Sequence, residues 1–154
     1  MKTEVIQINS QAPEKAKIEQ AANGIKKGGL VVIPTETVYG IAANMLNKKT
    51  IQRLCEVKKR PKDKPFTLHI GAKEEVEKYA IGILPFAYRL MDKFWPGPIT
   101  MVFHTKENNS IGIRMPDHKV ALAIIKEAGV PIVCPSANIS GNLAPSTAQE
   151  ALYQ

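Results

Sequence analysis

The sequence predicts a single α/β domain built on a mixed β-sheet, and three observations carry that prediction. Helix-period and strand-period apolar patterns alternate along all 154 residues, as they do where helices are laid on a sheet. Residues 30–33 (LVVI) are continuously apolar, which suits a strand covered on both faces. Residues 99–103 (ITMVF) and 111–114 (IGIR) are strand-like and separated by a short polar turn, so they are expected to form an antiparallel hairpin. A chain of this length suits one domain, and no repeat, low-complexity tract or linker interrupts it.

Each element has its own signal. Residues 3–8 (TEVIQI) read as a first strand. Pro13 is placed to open a helix, where its missing N–H costs nothing. Ile18, Ala21, Ala22 and Ile25 repeat at i, i+3, i+4 and i+7 as that helix's apolar stripe, and Gly28-Gly29 ends it. After strand 30–33, Asn47 is positioned to cap a helix with the stripe Ile51, Leu54, Cys55 and Lys58, which Pro61 stops. Residues 66–70 (FTLHI) read as a strand and 73–80 as a short helix. Pro85 opens a helix with Phe86, Leu90 and Phe94 on one side and Ala87 and Met91 beside them. Beyond the hairpin, Asp117 is expected to cap a helix carrying Ala121, Ile124, Ile125 and Ala128, stopped by Gly129. Residues 131–134 (PIVC) then read as a last strand, and Ser146 with Gln149 as a capping box near the chain's end.

Composition limits the function. With 21 Lys+Arg against 14 Asp+Glu, the net charge is +7, which favours an anionic partner such as a nucleotide, a nucleic acid or a membrane surface. Cys55 and Cys134 lie in apolar segments without metal-ligand spacing, so buried reduced thiols in a cytoplasmic protein are expected. The start, Met1 to Glu4, has no apolar signal core, and no apolar run of about 18 residues exists for a membrane span. Neither the G-x-x-x-x-G-K-[ST] loop nor the G-x-G-x-x-G turn is present, and H-E-x-x-H and G-x-S-x-G are absent too. His69, His104 and His118 are scattered, so no metal site is expected. Phosphate binding, if any, must come from basic and hydroxyl side chains in loops.

Four such loops follow predicted strands or helices. In Pro34-Thr35-Glu36-Thr37-Val38-Tyr39-Gly40, an extended backbone would put Thr35, Thr37 and Tyr39 on one side. A turn whose threonines satisfy backbone groups is the other reading. In the basic segment 58–65 (KKRPKDKP), Pro61 pushes Arg60 out of helical geometry, so that Lys58 and Arg60 can converge on phosphate oxygens. A solvated basic turn is the alternative. Trp95-Pro96-Gly97-Pro98-Ile99-Thr100 is a rigid turn in which Trp95 reads as a buried anchor and Thr100 carries the spare chemistry. Ser136 and Asn138, two apart in Pro135-Ser136-Ala137-Asn138-Ile139-Ser140-Gly141, stand after a buried strand, where open α/β sheets place ligands.

Together these segments resemble the YrdC/TsaC family, the threonylcarbamoyl-AMP synthases. The resemblance rests on P-T-E-T-V-Y-G (34–40), K-x-R-P (58–61), F-T-L-H-I (66–70), W-P-G-P-I-T (95–100), I-G-I-R-M-P-D-H (111–118) and P-S-A-N-I-S-G (135–141), and it runs from about residue 10 to the end. It implies a YrdC-like domain over 1–154, with a twisted mixed sheet flanked by helices and a basic concave face. It implies a nucleotidyltransferase reaction: L-threonine, bicarbonate and ATP, with Mg²⁺, give threonylcarbamoyl-AMP and pyrophosphate. That product feeds tRNA threonylcarbamoyltransferase proteins that modify tRNA in the cytoplasm. Residue by residue, it implies that Lys58, Arg60, Ser136 and Asn138 form the catalytic, nucleotide-binding tetrad. It also implies that Thr35 and Tyr39 line the threonine pocket, and that His69, Thr100 and Arg114 complete the nucleotide side, with no resident metal. The family pattern continues into strands bearing a Ser-Thr-x-x-Asp segment and a late arginine. The domain is therefore expected to be truncated at its C-terminal side, as a fragment or as a shortened member of the family, with weaker ATP binding or no activity. Two other classes remain: a double-stranded RNA or tRNA-binding module without catalysis, whose affinity would fall steeply with salt, and the related domain of hydrogenase-maturation carbamoyltransferases. The latter sits in longer chains with zinc-finger-like cysteines, against two cysteines here.

Overall fold

Six short strands make one mixed sheet in this computed structural model, which describes residues 3–154. In chain order the elements are α1 (Lys15–Lys26), β1 (Val31–Ile33), β2 (Gly40–Asn44), α2 (Lys48–Lys58), β3 (Leu68–His69), a 3₁₀ helix η1 (Lys73–Lys78), α3 (Pro85–Phe94), β4 (Met101–His104), β5 (Ser110–Arg114), α4 (Lys119–Ala128), β6 (Ile132–Val133) and α5 (Ala148–Leu152). The strand order is β1-β2-β6-β3-β5-β4. Every neighbouring pair is antiparallel except β3 and β5, which run parallel. The hairpin expected from the polar turn is β4–β5, with Met101 opposite Ile113 and His104 opposite Ser110.

The two-residue period of the strands sorts the helices into layers. On β2, Ala42 packs with Ile18, Ala22 and Ile25 of α1 and with Ala121 and Ile124 of α4. Its neighbours Ile41 and Ala43 point the other way, onto Leu54 of α2. Leu68 is in register with both Val133 and Ile113, so this second face continues across the sheet. There Leu68, Ile70, Phe103 and Ile113 meet Val76 of η1 and Ala87 and Met91 of α3. Fully buried Ile25, Leu54 and Ile124 each contribute roughly 1.5–3 kcal/mol through removal of apolar area from water. The alternate set, His69 with its register partners Arg114 and Ile132, shares the face that carries α1 and α4.

Several expectations are corrected. Residues 3–8 form no strand: Glu4 accepts a hydrogen bond from Gln20 of α1 at 2.8 Å and Ile8 packs onto the α1/α4 core. A segment held to a helix by side chains has no backbone ladder to join. Met1 and Lys2, the first residues of the start that lacks a signal core, lie outside the described residues. The strand β2 was not anticipated, since Gly-Ile-Ala-Ala-Asn carries almost none of the β-branched or aromatic residues that mark strands. Helix α1 starts at Lys15 with Glu14 at its cap, leaving Pro13 one residue outside. The α4 cap position is His118 rather than Asp117, and its side chain makes no capping bond. At α5 the box is Thr147 with Glu150: Thr147 Oγ1 accepts from Glu150 N, and the Glu150 carboxylate accepts from Ser146 N and Oγ. Asn47 and Gly129 act as expected, the first accepting from Thr50 N at 3.1 Å and the second ending α4 at φ +60°. Both cysteines are buried and unpaired. No helix among the described residues is long and apolar enough to cross a membrane.

Candidate functional site

The four loops picked out by sequence meet around one pocket of about 280 Å³ on the face shared by His69 and Arg114. Its first wall is the β1–β2 connection. Thr35 Oγ1 donates to Val38 O at 2.6 Å and lies 3.2 Å from the N–H groups of Thr37 and Val38, which donate to it. This is the closed turn, not the extended segment, yet it still brings the Thr35 and Thr37 hydroxyls within 3.0 Å of each other at the pocket. Tyr39 is not among the residues that line the pocket. Its backbone is tied to Pro145 and Ala137, and it packs against the core cluster that includes Ile41 and Leu54. Gly40 is required for close approach: a Cβ there would lie 2.5 Å from Cys134 Sγ and 3.2 Å from Pro135 O.

The second wall leaves α2. Lys59 takes the left-handed conformation at φ +49°, and Arg60 N then donates back to Cys55 O at 2.9 Å. The two cations expected to converge take different surroundings. Arg60 lines the pocket, its guanidinium 4.7 Å over the Phe66 ring and its Nη2 donating to Pro65 O at 2.7 Å. Its Nε is buried without a partner. Lys58 is only 2% exposed and does not line the pocket. Its Nζ donates to the carbonyls of Ser136 and Asn138. Burial, reinforced by the charge of Arg60, lowers its pKa from the ordinary lysine value.

The 135–141 loop divides in the same manner. Ser136 lines the pocket. Asn138 is buried behind it, its Nδ2 donating to the carbonyls of Ile139 and Asn142 at 2.9 Å each and its Oδ1 left without a partner.

Sheet residues supply the rest. His69 is buried, with Nδ1 3.3 Å from Thr67 O. A carbonyl can only accept, so Nδ1 carries the proton and Nε2 a lone pair. Burial pushes its pKa down to about 4, so the ring is neutral at pH 7. Arg114 donates through Nε to Gly97 O at 3.2 Å, and through Nη2 to Glu36 Oε1 at 2.7 Å and Thr37 Oγ1 at 3.0 Å. Desolvation, the largest single influence, would raise the Glu36 carboxyl, but the hydrogen bond and charge of Arg114 together with backbone N–H groups outweigh it and the net shift is downward. Thr100 lines the pocket as well. Glu36 and Cys134 are the residues that sequence reasoning passed over. The signal for Glu36 was its being the one charge within P-T-E-T-V-Y-G. For Cys134 there was none beyond burial, which pushes its thiol up to about 12 and leaves it unreactive at neutral pH.

Chemically the pocket presents two guanidinium groups, several hydroxyls and a neutral imidazole, and its lining contains no carboxylate. That set suits an anionic, polar ligand. The family model Sua5_yciO_yrdC, described as telomere recombination, matches residues 23–154. The chain belongs to the Sua5/YciO/YrdC family. Among curated relatives, the threonylcarbamoyl-AMP synthase of Pyrococcus abyssi is 42% identical over 144 residues, covering 88% of this chain and 42% of that protein. The threonylcarbamoyl-AMP synthase of Bacillus subtilis is 37% identical over 147 residues, covering 89% of this chain and 42% of that protein. The chain thus spans less than half the length of both. The crystal structure of P. abyssi Sua5 complexed with L-threonine superposes with a TM-score of 0.89 at 39% identity, over 93% of this chain and 45% of that one. The Sua5/YciO/YrdC fold therefore holds across nearly all of this sequence.

Proposed function

We propose that this chain carries out threonylcarbamoyl-AMP synthesis, joining L-threonine, bicarbonate and ATP and releasing pyrophosphate. The observation that carries the reading is the pocket in which Arg60, Arg114, Ser136, Thr35 and Thr37 converge, in a fold that matches a Sua5 structure containing L-threonine. The threonine amine takes up CO₂ or bicarbonate as a carbamate, whose oxygen attacks the α-phosphorus in line as pyrophosphate leaves. No protein nucleophile is needed, in keeping with a buried Cys134 held as thiol. What the chain supplies is alignment and positive charge where the phosphorane charge develops. Arg60 is suited to that role, because Phe66 and Pro65 fix its guanidinium plane and its buried Nε is unpartnered. His69 serves as a neutral hydrogen-bonding group rather than a cation. The lining offers no carboxylate for a resident ion, so Mg²⁺ enters with the nucleotide as part of the substrate. The product is of the class consumed in tRNA modification, which makes tRNA and a threonylcarbamoyl-transferring enzyme the downstream partners and the cytoplasm the place of action.

The test is pyrophosphate release from MgATP with threonine and bicarbonate omitted in turn. Release that requires both is expected, and Arg60→Ala should lower it by roughly 10²-fold or more while the circular dichroism spectrum stays unchanged. A net charge of +7 supports the competing reading, an RNA-binding module. Absence of release together with RNA binding that weakens steeply between low and moderate salt would replace the synthase reading with that one.

A further inference from the structure

The K-x-R and S-x-N segments each contribute one residue to the pocket and one behind it. Arg60 and Ser136 line the pocket, whereas Lys58 and Asn138 are buried. We propose that Lys58 is a positioning residue that acts through Ser136, fixing the 136–140 loop against the end of α2, and that it makes no contact with the phosphates. This deepens the synthase reading and rests on it for the identity of the ligand.

The geometry is specific. The ammonium donates to two main-chain carbonyls, of Ser136 and Asn138, and the Lys58 carbonyl accepts from Ser140 N at 2.7 Å. One residue therefore holds three points along five residues of loop. A lysine that binds a phosphate must present its point charge to the ligand, and this side chain is 2% exposed. Its charge is satisfied by carbonyl dipoles, which is how a buried cation without an acidic partner is retained. Ser136, once held, is bridged to Gly40 across the pocket floor, so the loop and the β1–β2 turn are set relative to each other through the same residue.

The experiment uses the full chain with Lys58→Met, Ser136→Ala and the double variant, and it reads hydrogen exchange of the 136–142 amides and calorimetric binding of ATP and of AMP. The expected result is exchange of those amides faster by about tenfold in Lys58→Met, with ATP and AMP weakened by the same factor. Ser136→Ala should weaken ATP in the parent chain and change little once Lys58 is methionine, because residues acting as a unit are non-additive. Three results would overturn the proposal: unchanged exchange in the loop, loss of ATP affinity with AMP affinity retained, or additive effects of the two substitutions. Lys58→Gln, which keeps a donor and drops the charge, carries the same comparison if Lys58→Met does not fold. If the parent chain binds neither nucleotide, the synthase reading fails alone, and the exchange measurement still decides whether Lys58 holds the loop.

Discussion

Gly40 shows how a single missing side chain shapes the pocket. The hydrogen-bonded turn at 35–38 has to lie against the strand end at 134–136, and the space for a Cβ at Gly40 is occupied by Cys134 Sγ at 2.5 Å. Gly40→Ala is therefore expected to force the two walls apart, destabilising the protein by about 1–3 kcal/mol, the usual range for overpacking, and weakening ligand binding. Cys134→Ala removes the atom in the way. The double variant Gly40→Ala/Cys134→Ala should regain part of the lost stability in urea unfolding, whereas equal stability of the single and double variants would place the strain at Pro135 O, 3.2 Å away. The thiol is expected to be silent in this role otherwise: pushed up to about 12, it should resist alkylation in the folded protein at neutral pH.

At the level of elements, α2 sets the geometry of the basic side of the pocket, since it ends in Lys58 and throws Arg60 back through Lys59. Its other end is fixed by Asn47, whose side chain caps Thr50 N, while Thr50 Oγ1 donates to Gly28 O at 2.9 Å. Asn47→Ala should lower the unfolding free energy by about 1 kcal/mol, and Asn47→Asp should retain most of the stability; a thermal melt of each variant checks this. Elements with a strong local signal, such as the stripe of α1, the Asn47 cap and the Gly129 stop, were legible in the sequence. The small residues of β2 gave no strand signal, because that strand owes its existence to burial between two helical layers. Residues 3–8 had the composition of a strand but are held to α1 and the α1/α4 core instead. In the pocket, the loops and most of their polar residues were legible as unusual chemistry at strand ends. Which member of K-x-R lines the pocket was not, because that depends on a left-handed Lys59 and on two distant carbonyls. Tyr39 is outside the pocket lining for a related reason: period-two alternation applies to an extended chain, and Thr35 closes a turn instead.

Across the whole molecule, the sheet has one face packed by α2, α3 and η1 and another shared between the α1/α4 core and the pocket. A titratable ring, His69, therefore sits inside the framework that holds the pocket and the core together, and folding is linked to its protonation. Burial lowers its pKa to about 4 from the ordinary histidine value of 6.5, so between those values the unfolded chain binds a proton that the folded chain does not. Stability then rises with pH across that window and is lost as pH falls from about 6.5 to about 4. His118, lowered first by desolvation against the charges of Glu36 and Asp117, adds a contribution of the same sign. A shift of this size corresponds to a loss of about 3 kcal/mol over the window at His69. Urea unfolding at pH 4, 5, 6.5 and 8 should show that decline, with a plateau above pH 6.5 as far as this group is concerned. His69→Asn keeps a donor within reach of Thr67 O and removes the titration, so its stability should depend less steeply on pH over the same interval. An equally steep decline in that variant would assign the acid sensitivity to His118 or to the carboxylates, and with it the conclusion that His69 is neutral in the folded protein would fall.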